Sequence, residues 1–398
     1  MGSHGPALAR LRKTLRRHAR EGWARAVFAR PGQDDAPRVL EGPGSGPPDD
    51  ATVEALIAAA SAAAAEGRVK QTLVLDDQRR VRIDARHGSG KLVTLDEDRV
   101  RKVMGGKERN LRPDASAPLL RVIGIMNADG TISAKNAKKY KQVDHFVELC
   151  RPVWERLVAQ RGPERPPSES EPLRVLDLGC GNGYLGFVLA EALRLAELPV
   201  RLHGVDRRTD VIAQCRARAE ALGHGGLTFQ EASIAEVGAG DVATLGAPPE
   251  LVVALHACDT ATDDALALAV RSGASAIMAA PCCQHELAEQ LRTREQRDAA
   301  PVPAMLQHSV LRQDYAAGLT DALRVELLQA CGYHVDAIEF VASEHTPKNL
   351  LLRAHRRHPQ APVEPARWHL TTVRERCQAL GVEPRLLALL EAVEPATV

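Results

Sequence analysis

Leu173-Arg174-Val175-Leu176-Asp177-Leu178-Gly179-Cys180-Gly181-Asn182-Gly183 is the stretch on which the reading of this chain turns. A Pro-rich segment precedes it and an Ala/Leu-rich segment follows, so the order predicts a buried strand, a tight turn and a helix. Glycines at alternate positions let a ligand approach the backbone closely. The first amides of the following helix are donors without an intrahelical partner. The loop therefore predicts a nucleotide-type ligand at the end of a strand.

Two ligand classes use such a loop. Gly181-Asn182-Gly183-Tyr184-Leu185-Gly186 has the G-x-G-x-x-G form of a dinucleotide site, and Asp206 lies about where its ribose-binding acid would fall. S-adenosylmethionine instead asks for acid-x-G-x-G-x-G, and Asp177 stands in that register ahead of Gly179, Gly181 and Gly183 as a counter-charge for the methionine ammonium. Segments further along the chain side with the second class.

From this point short apolar runs alternate with helical patterns. Strands are expected over 174–178, 201–205, 227–230, 251–255 and 275–280, helices over 209–222 and 263–272, and closing strands over 334–341 and 349–354. Such alternation predicts an α/β, Rossmann-like unit with a parallel sheet covered on both faces. Ligands in that architecture bind beyond the carboxyl ends of the strands. Asp206, after the second strand, is placed to accept the ribose hydroxyls, and Ser233, in Glu231-Ala232-Ser233-Ile234 after the third, to flank the adenine. Leu255-His256-Ala257-Cys258-Asp259-Thr260-Ala261-Thr262-Asp263 follows the fourth strand, with Leu255 against the cofactor. Pro281-Cys282-Cys283-Gln284-His285-Glu286 follows the fifth, and Ser343-Glu344-His345-Thr346-Pro347-Lys348-Asn349 joins the last two.

These segments carry a resemblance. His-Ala-Cys-Asp-x-Ala-Thr-Asp, followed by Pro-Cys-Cys-Gln-His-Glu, resembles the methyltransferase family that includes the eukaryotic tRNA ribose methyltransferases acting on the acceptor stem. It looks closer still to bacterial relatives with a segment like 138–146 and a Thr-Pro-Lys-Asn element. The resemblance covers about residues 135–355. It implies a class I methyltransferase fold with a seven-stranded sheet, S-adenosylmethionine as cofactor and RNA as substrate. In the eukaryotic enzymes a Gly takes the place of Asp259 and a second His that of Gln284, so the target atom does not carry over.

Methyl transfer is an in-line displacement in which the protein positions the nucleophile and removes its proton. His256, Asp259, His285 and His345 are candidate bases, with His256 and His285 preferred because each lies just past a strand. Cys258, Cys282 and Cys283 raise the alternative of thiolate attack on a pyrimidine ring, with Cys282 kept among the catalytic candidates. A zinc site from Cys258, Cys282, His256 and His285 lacks dedicated spacing, and no metal is expected.

The first hundred residues lie outside the resemblance. Residues 8–30 hold Arg12, Lys13, Arg16 and Arg17 among other arginines, with Leu8, Leu11, Leu15, Ala19 and Trp23 at helical spacing, which predicts one basic amphipathic helix. A Pro/Gly/Asp-rich linker is expected over 31–50, an Ala-rich helix over 51–67 and a hairpin over 69–75 and 79–84. Lys138 and Lys139 precede a helix that runs towards residue 158. With Lys348 and the basic helix they are the expected phosphate contacts if the substrate is tRNA or rRNA. The expected organisation is a basic α+β domain over 1–100, a connecting segment over 101–160, the methyltransferase domain over 161–357 and a helical extension over 358–398.

Composition limits the alternatives. Lys+Arg at 52 against Asp+Glu at 51 leaves any polyanion to a local patch, and 3% aromatics disfavours a base-stacking platform. The 8 cysteines show no C-x-x-C pair, as in a reducing compartment. No apolar run suits a membrane span and no signal-peptide pattern opens the chain, so a cytoplasmic protein is expected. Methylation of protein, or an RNA-binding assembly role with weak catalysis, remains the competing reading.

Overall fold

The computed structural model describes residues 4–31, 36–44, 46–77, 79–93, 110–238, 242–292, 303–340, 349–361, 363 and 368–392. The chain divides into two compact units, Met1–Lys141 and Gln142–Val398.

The first unit opens with helix α1, His4–Ala19. Leu11, Leu15 and Ala19 recur every fourth residue and are buried, while Arg12, Lys13, Arg16 and Arg17 are exposed. The basic helix is shorter than the expected 8–30. Gly22 takes a φ of 93°, and a Cβ there would meet Asp76 Oδ2 at 2.4 Å, so the chain turns at this glycine into strand β1, Trp23–Ala29. The expected linker likewise contains a strand, β2, Arg38–Glu41. Helix α2, Asp50–Ala65, is capped by Asp49, whose side chain accepts from Thr52 N–H. The hairpin follows as β3, Lys70–Leu75, and β4, Arg80–Asp84, joined by β5, Ser89–Val93. The resulting 5-stranded sheet has the order β2-β1-β3-β4-β5 and is antiparallel at every pairing. Leu11, Leu15, Leu56, Ile57, Leu73 and Val81 meet in its core. Helix α3, Ala117–Val122, precedes helix α4, Ala134–Arg161, which carries Lys138 and Lys139 exposed in its first turns and continues into the second unit.

The second unit alternates β6, Leu173–Leu178, α5, Tyr184–Leu195, β7, Val200–Asp206, α6, Thr209–Leu222, β8, Leu227–Glu231, and β9, Leu251–Ala254. It continues with α7, Thr260–Arg271, β10, Ala276–Ala279, α8, Glu286–Gln290, α9, Pro303–Gln307, and α10, Ser309–Ala330. Strands β11, Tyr333–Glu339, and β12, Leu350–Arg356, complete a 7-stranded sheet of order β11-β12-β10-β9-β6-β7-β8. The pairings among β6 to β10 are parallel, and β12 runs antiparallel to both β10 and β11. This is the class I methyltransferase arrangement. The strand order reverses between β6 and β9, so the crevice lies beyond their carboxyl ends.

Helices α11, Leu370–Leu380, and α12, Arg385–Glu391, lie in the expected C-terminal helical extension, and their Leu370, Val373, Leu386, Leu387 and Leu390 are buried in the same core as Leu266 and Val270 of α7. Among the described residues no helix is long and apolar enough to cross a membrane.

Candidate functional site

The glycine loop leaves β6 with φ of 68° at Gly179, 55° at Gly181 and 70° at Gly183, a region that side chains disfavour. Space is also short at Gly183, where a Cβ would lie 2.8 Å from the Phe187 ring and 2.9 Å from Cys215 Sγ. At the end of β6 the Asp177 side chain passes under the start of α5, its Oδ2 2.8 Å from where a Cβ on Gly186 would sit. Asp177 is 4% exposed, and no described residue donates a hydrogen bond to its carboxyl. Burial, with the nearby charge of Asp206, raises its carboxyl to about 7.

Asp206, at the end of β7, behaves differently. Its Oδ2 accepts Gly181 N–H at 2.8 Å, and its Oδ1 accepts Arg208 N–H at 3.0 Å and Arg208 Nε–H at 3.1 Å. Burial opposes the charge, but these hydrogen bonds outweigh it and hold the carboxyl below its ordinary range. One acid is thus ionised at neutral pH, and the other is poised to ionise when a cation arrives.

The loop amides separate the two ligand classes. Gly181 N–H is engaged by Asp206, Gly183 N–H by Cys180 O at 3.0 Å and Tyr184 N–H by Asn182 Oδ1 at 3.2 Å. A pyrophosphate needs those donors free. A ligand with an ammonium and a ribose needs acceptors, which Asp177 and Asp206 provide. The residues therefore fit S-adenosylmethionine.

A pH dependence follows from Asp177. Its raised pKa contributes stability that is fully present below about pH 4 and lost as pH rises through about 7. The cofactor-free protein is expected to melt lower at pH 8 than at pH 6, and cofactor affinity to rise over that interval as the carboxylate forms. Asp177→Asn should flatten both profiles, which thermal melts and calorimetric titrations across pH would register. Parallel profiles for the variant and the parent would remove Asp177 from this role.

Across the crevice, Ala257 lies against the loop, its N 3.3 Å from a Cβ placed on Gly179. His256 stands beside Gly181, with Cδ2 3.6 Å from a Cβ placed there. His256 is exposed at the surface of the crevice, but partial desolvation lowers the imidazole pKa, with Asp206 opposing and Arg208 reinforcing, which favours the neutral ring. Leu255, just past the end of β9, is buried.

Asp259 does not present a free base. Its Oδ1 accepts the N–H of His285 at 2.8 Å and of Glu286 at 3.3 Å, and its own N–H donates to Cys283 O at 3.2 Å. It therefore ties the loop after β9 to the loop after β10. It does so at φ 52° and ψ −126°, a backbone region suited to glycine. His285 is exposed at the start of α8. Gln284 is buried, and its amide donates to Asp321 Oδ2 at 2.9 Å, a structural contact.

Cys258 and Cys282 are exposed, with their Sγ atoms 3.1 Å apart, and Cys283 Sγ lies 3.7 Å from that of Cys282. Partial desolvation of the sulfur, which its surface exposure tempers, and the neighbouring thiols push Cys282 up to about 12, which disfavours a free thiolate nucleophile there.

The Ser233 Oγ donates to Glu236 Oε2 at 2.8 Å, and Glu236 also accepts Ser233 N–H, forming a capping box on the turn 234–236. His345 and Lys348 lie outside the described residues.

Residue-type reasoning missed Arg208 and Arg324. Arg324, 1% exposed on α10, grips Asp263 through Nε at 2.9 Å and Nη2 at 2.8 Å, and Asp259 O through Nη2 at 2.9 Å. Burial opposes its charge, but the Asp263 carboxylate prevails and the guanidinium pKa is raised.

Residues 138–290 match the model of a methyltransferase domain family. No curated protein matches the sequence. Among solved structures, the SAH-bound methyltransferase PaMTH1 of Podospora anserina is 15% identical over 68% of this chain and 100% of that chain, with a TM-score of 0.34. Magnesium protoporphyrin IX methyltransferase from Synechocystis, with bound SAH, is 17% identical over 62% of this chain and 95% of its own, with a TM-score of 0.32. An rRNA methylase from Streptococcus thermophilus is 14% identical over 46% of this chain and 87% of its own, with a TM-score of 0.28. The strand order, the paired acids and the family match together make the second unit an S-adenosylmethionine-dependent methyltransferase domain.

Proposed function

We propose that the chain methylates structured RNA, a tRNA or rRNA, at a ribose hydroxyl or a base. In this reading it works in the cytoplasm as a bacterial relative of the acceptor-stem ribose methyltransferases. The observation that carries the substrate class is the outer face of α1. Arg12, Lys13 and Arg17 are exposed there without an ion pair to a described residue, around an open hollow also lined by Ala9, Arg16 and Arg20. Arg16 and Arg20 are partly committed, to Glu54 at 2.5 Å and Asp50 at 2.9 Å. Exposed pairs of this kind are worth little and yield readily to a phosphate. Lys138 and Lys139, and Lys348 beyond the described residues, are the further phosphate contacts in this reading.

The cofactor supplies a methyl group made electrophilic by its sulfonium. Asp177 holds the amino end by charge and Asp206 the ribose by accepting its hydroxyl protons. His256, neutral and beside the loop, takes the proton of the acceptor hydroxyl as it attacks. His285 is the second candidate for that proton. Asp259 positions both histidine-bearing loops through the amides of His285 and Glu286.

Replacing Arg12, Lys13, Arg16 and Arg17 together by Gln should leave the fold intact, since all four side chains point outward. It should weaken RNA binding and flatten the slope of log affinity against log salt by up to about 3. Filter binding between about 50 and 200 mM salt measures this. An unchanged slope would make α1 an ordinary solvated face and favour a protein substrate.

A further inference from the structure

Five of the cysteines, Cys150, Cys180, Cys215, Cys331 and Cys377, are buried, as expected of small apolar core residues. The other three, Cys258, Cys282 and Cys283, are not, and they are gathered in one place. Their sulfur atoms all lie within 4.8 Å of one another, although Cys258 comes from the loop after β9 and the other two from the loop after β10. The Asp259 clamp fixes these loops together through Cys283 O, His285 N–H and Glu286 N–H, so the backbone that carries the thiols is held from both sides.

Tetrahedral zinc with bonds of about 2.3 Å to sulfur requires sulfurs about 3.8 Å apart. The Cys282–Cys283 separation of 3.7 Å meets that value, and the Cys258–Cys282 separation of 3.1 Å needs only a small side-chain rotation outward. No carboxylate or imidazole belongs to the cluster among the described residues, and an all-thiol set selects a soft or borderline ion over magnesium or calcium. Cys258 follows Ala257, which lies against Gly179, so the cluster sits beside the cofactor crevice.

We propose that Cys258, Cys282 and Cys283 bind one zinc ion as three thiolates, leaving a fourth position open to water or to an oxygen of the acceptor. Zinc with an open position lowers the pKa of a bound hydroxyl, which would supplement the proton removal assigned to His256. Binding of the ion itself does not depend on the acceptor's being RNA.

The test uses the full chain, purified without oxygen in a phosphine reductant, freed of metal by chelation and titrated with cobalt(II). One equivalent should give the intense near-ultraviolet thiolate-to-cobalt absorption, and zinc should abolish it by displacement. Cys258→Ser, Cys282→Ser and Cys283→Ser should each weaken the site at least about tenfold, with circular dichroism checking the fold. Cys377→Ser, which changes a buried thiol elsewhere, should leave the titration unaltered. The proposal is overturned if the parent protein gives no such absorption, if the three variants titrate like the parent, or if copper(I) alone binds. It is also overturned if the thiols persist as a Cys258–Cys282 disulfide in the reductant.

Discussion

Asp206→Ala is expected to lower S-adenosylmethionine affinity by two to three orders of magnitude, about 3–4 kcal/mol. Two hydroxyls donating to an ionised carboxylate each contribute about 1.5–3 kcal/mol. The same side chain also anchors the glycine loop by accepting Gly181 N–H at 2.8 Å. Part of the loss could therefore come from a slackened loop, and a second variant separates the two. In the cofactor-free protein the Arg208 guanidinium occupies Oδ1, but its side chain is 55% exposed and the pair is weak. Arg208→Ala should leave affinity unchanged or higher, because it removes a competitor of the ribose while leaving the Gly181 anchor intact. Calorimetry on both variants decides the matter. Full affinity in Asp206→Ala would withdraw the ribose assignment.

Arg324→Ala should cost about 3–5 kcal/mol of stability, the usual penalty for stranding one member of a buried ion pair. Arg324 and Asp263 each have side chains only 2% exposed, so the orphaned carboxylate cannot be rescued by water without opening the core. Arg324→Ala together with Asp263→Ala should recover part of the loss, since the buried carboxylate is then gone and only Asp321, more exposed and still held by the Gln284 amide, loses its cation. The substitution has a second consequence. Arg324 Nη2 also holds Asp259 O, so the strained backbone at Asp259 loses a support and the loops bearing His256 and His285 loosen. Denaturant melts measure the first effect. A single-variant loss below about 1 kcal/mol would mean that the pair is not the support described here.

How much of this was legible in the sequence depends on whether the signal was local. The strand-loop-helix at 173–195 and the alternating strands after it are written in consecutive residues, and their positions in the structure differ from expectation by a residue or two. The basic helix went too far because Leu8, Leu11, Leu15, Ala19 and Trp23 continue one spacing across two elements. The interruption rests on Gly22, whose need for positive φ depends on its packing against Asp76. The capping contact of Ser233 could have been read locally, since Ser233-Ile234-Ala235-Glu236 has the form of a capping box. Asp259 could not. The same carboxylate serves as base or clamp, and the choice lies in amides 26 and 27 residues away. Arg324 meets Asp263 across 61 residues, a pairing that no spacing rule reveals. The gathering of Cys258 with Cys282 and Cys283 likewise required the sheet to bring the ends of β9 and β10 together.

The most direct test of the account is transfer of labelled methyl from S-adenosylmethionine to an extract of cells lacking this protein, with the products then digested separately by RNase and by protease. The account expects label that RNase releases and protease does not, appearing in one modified nucleoside and lost with Asp206→Ala. Label released only by protease, or no transfer by a protein that binds the cofactor, would contradict it.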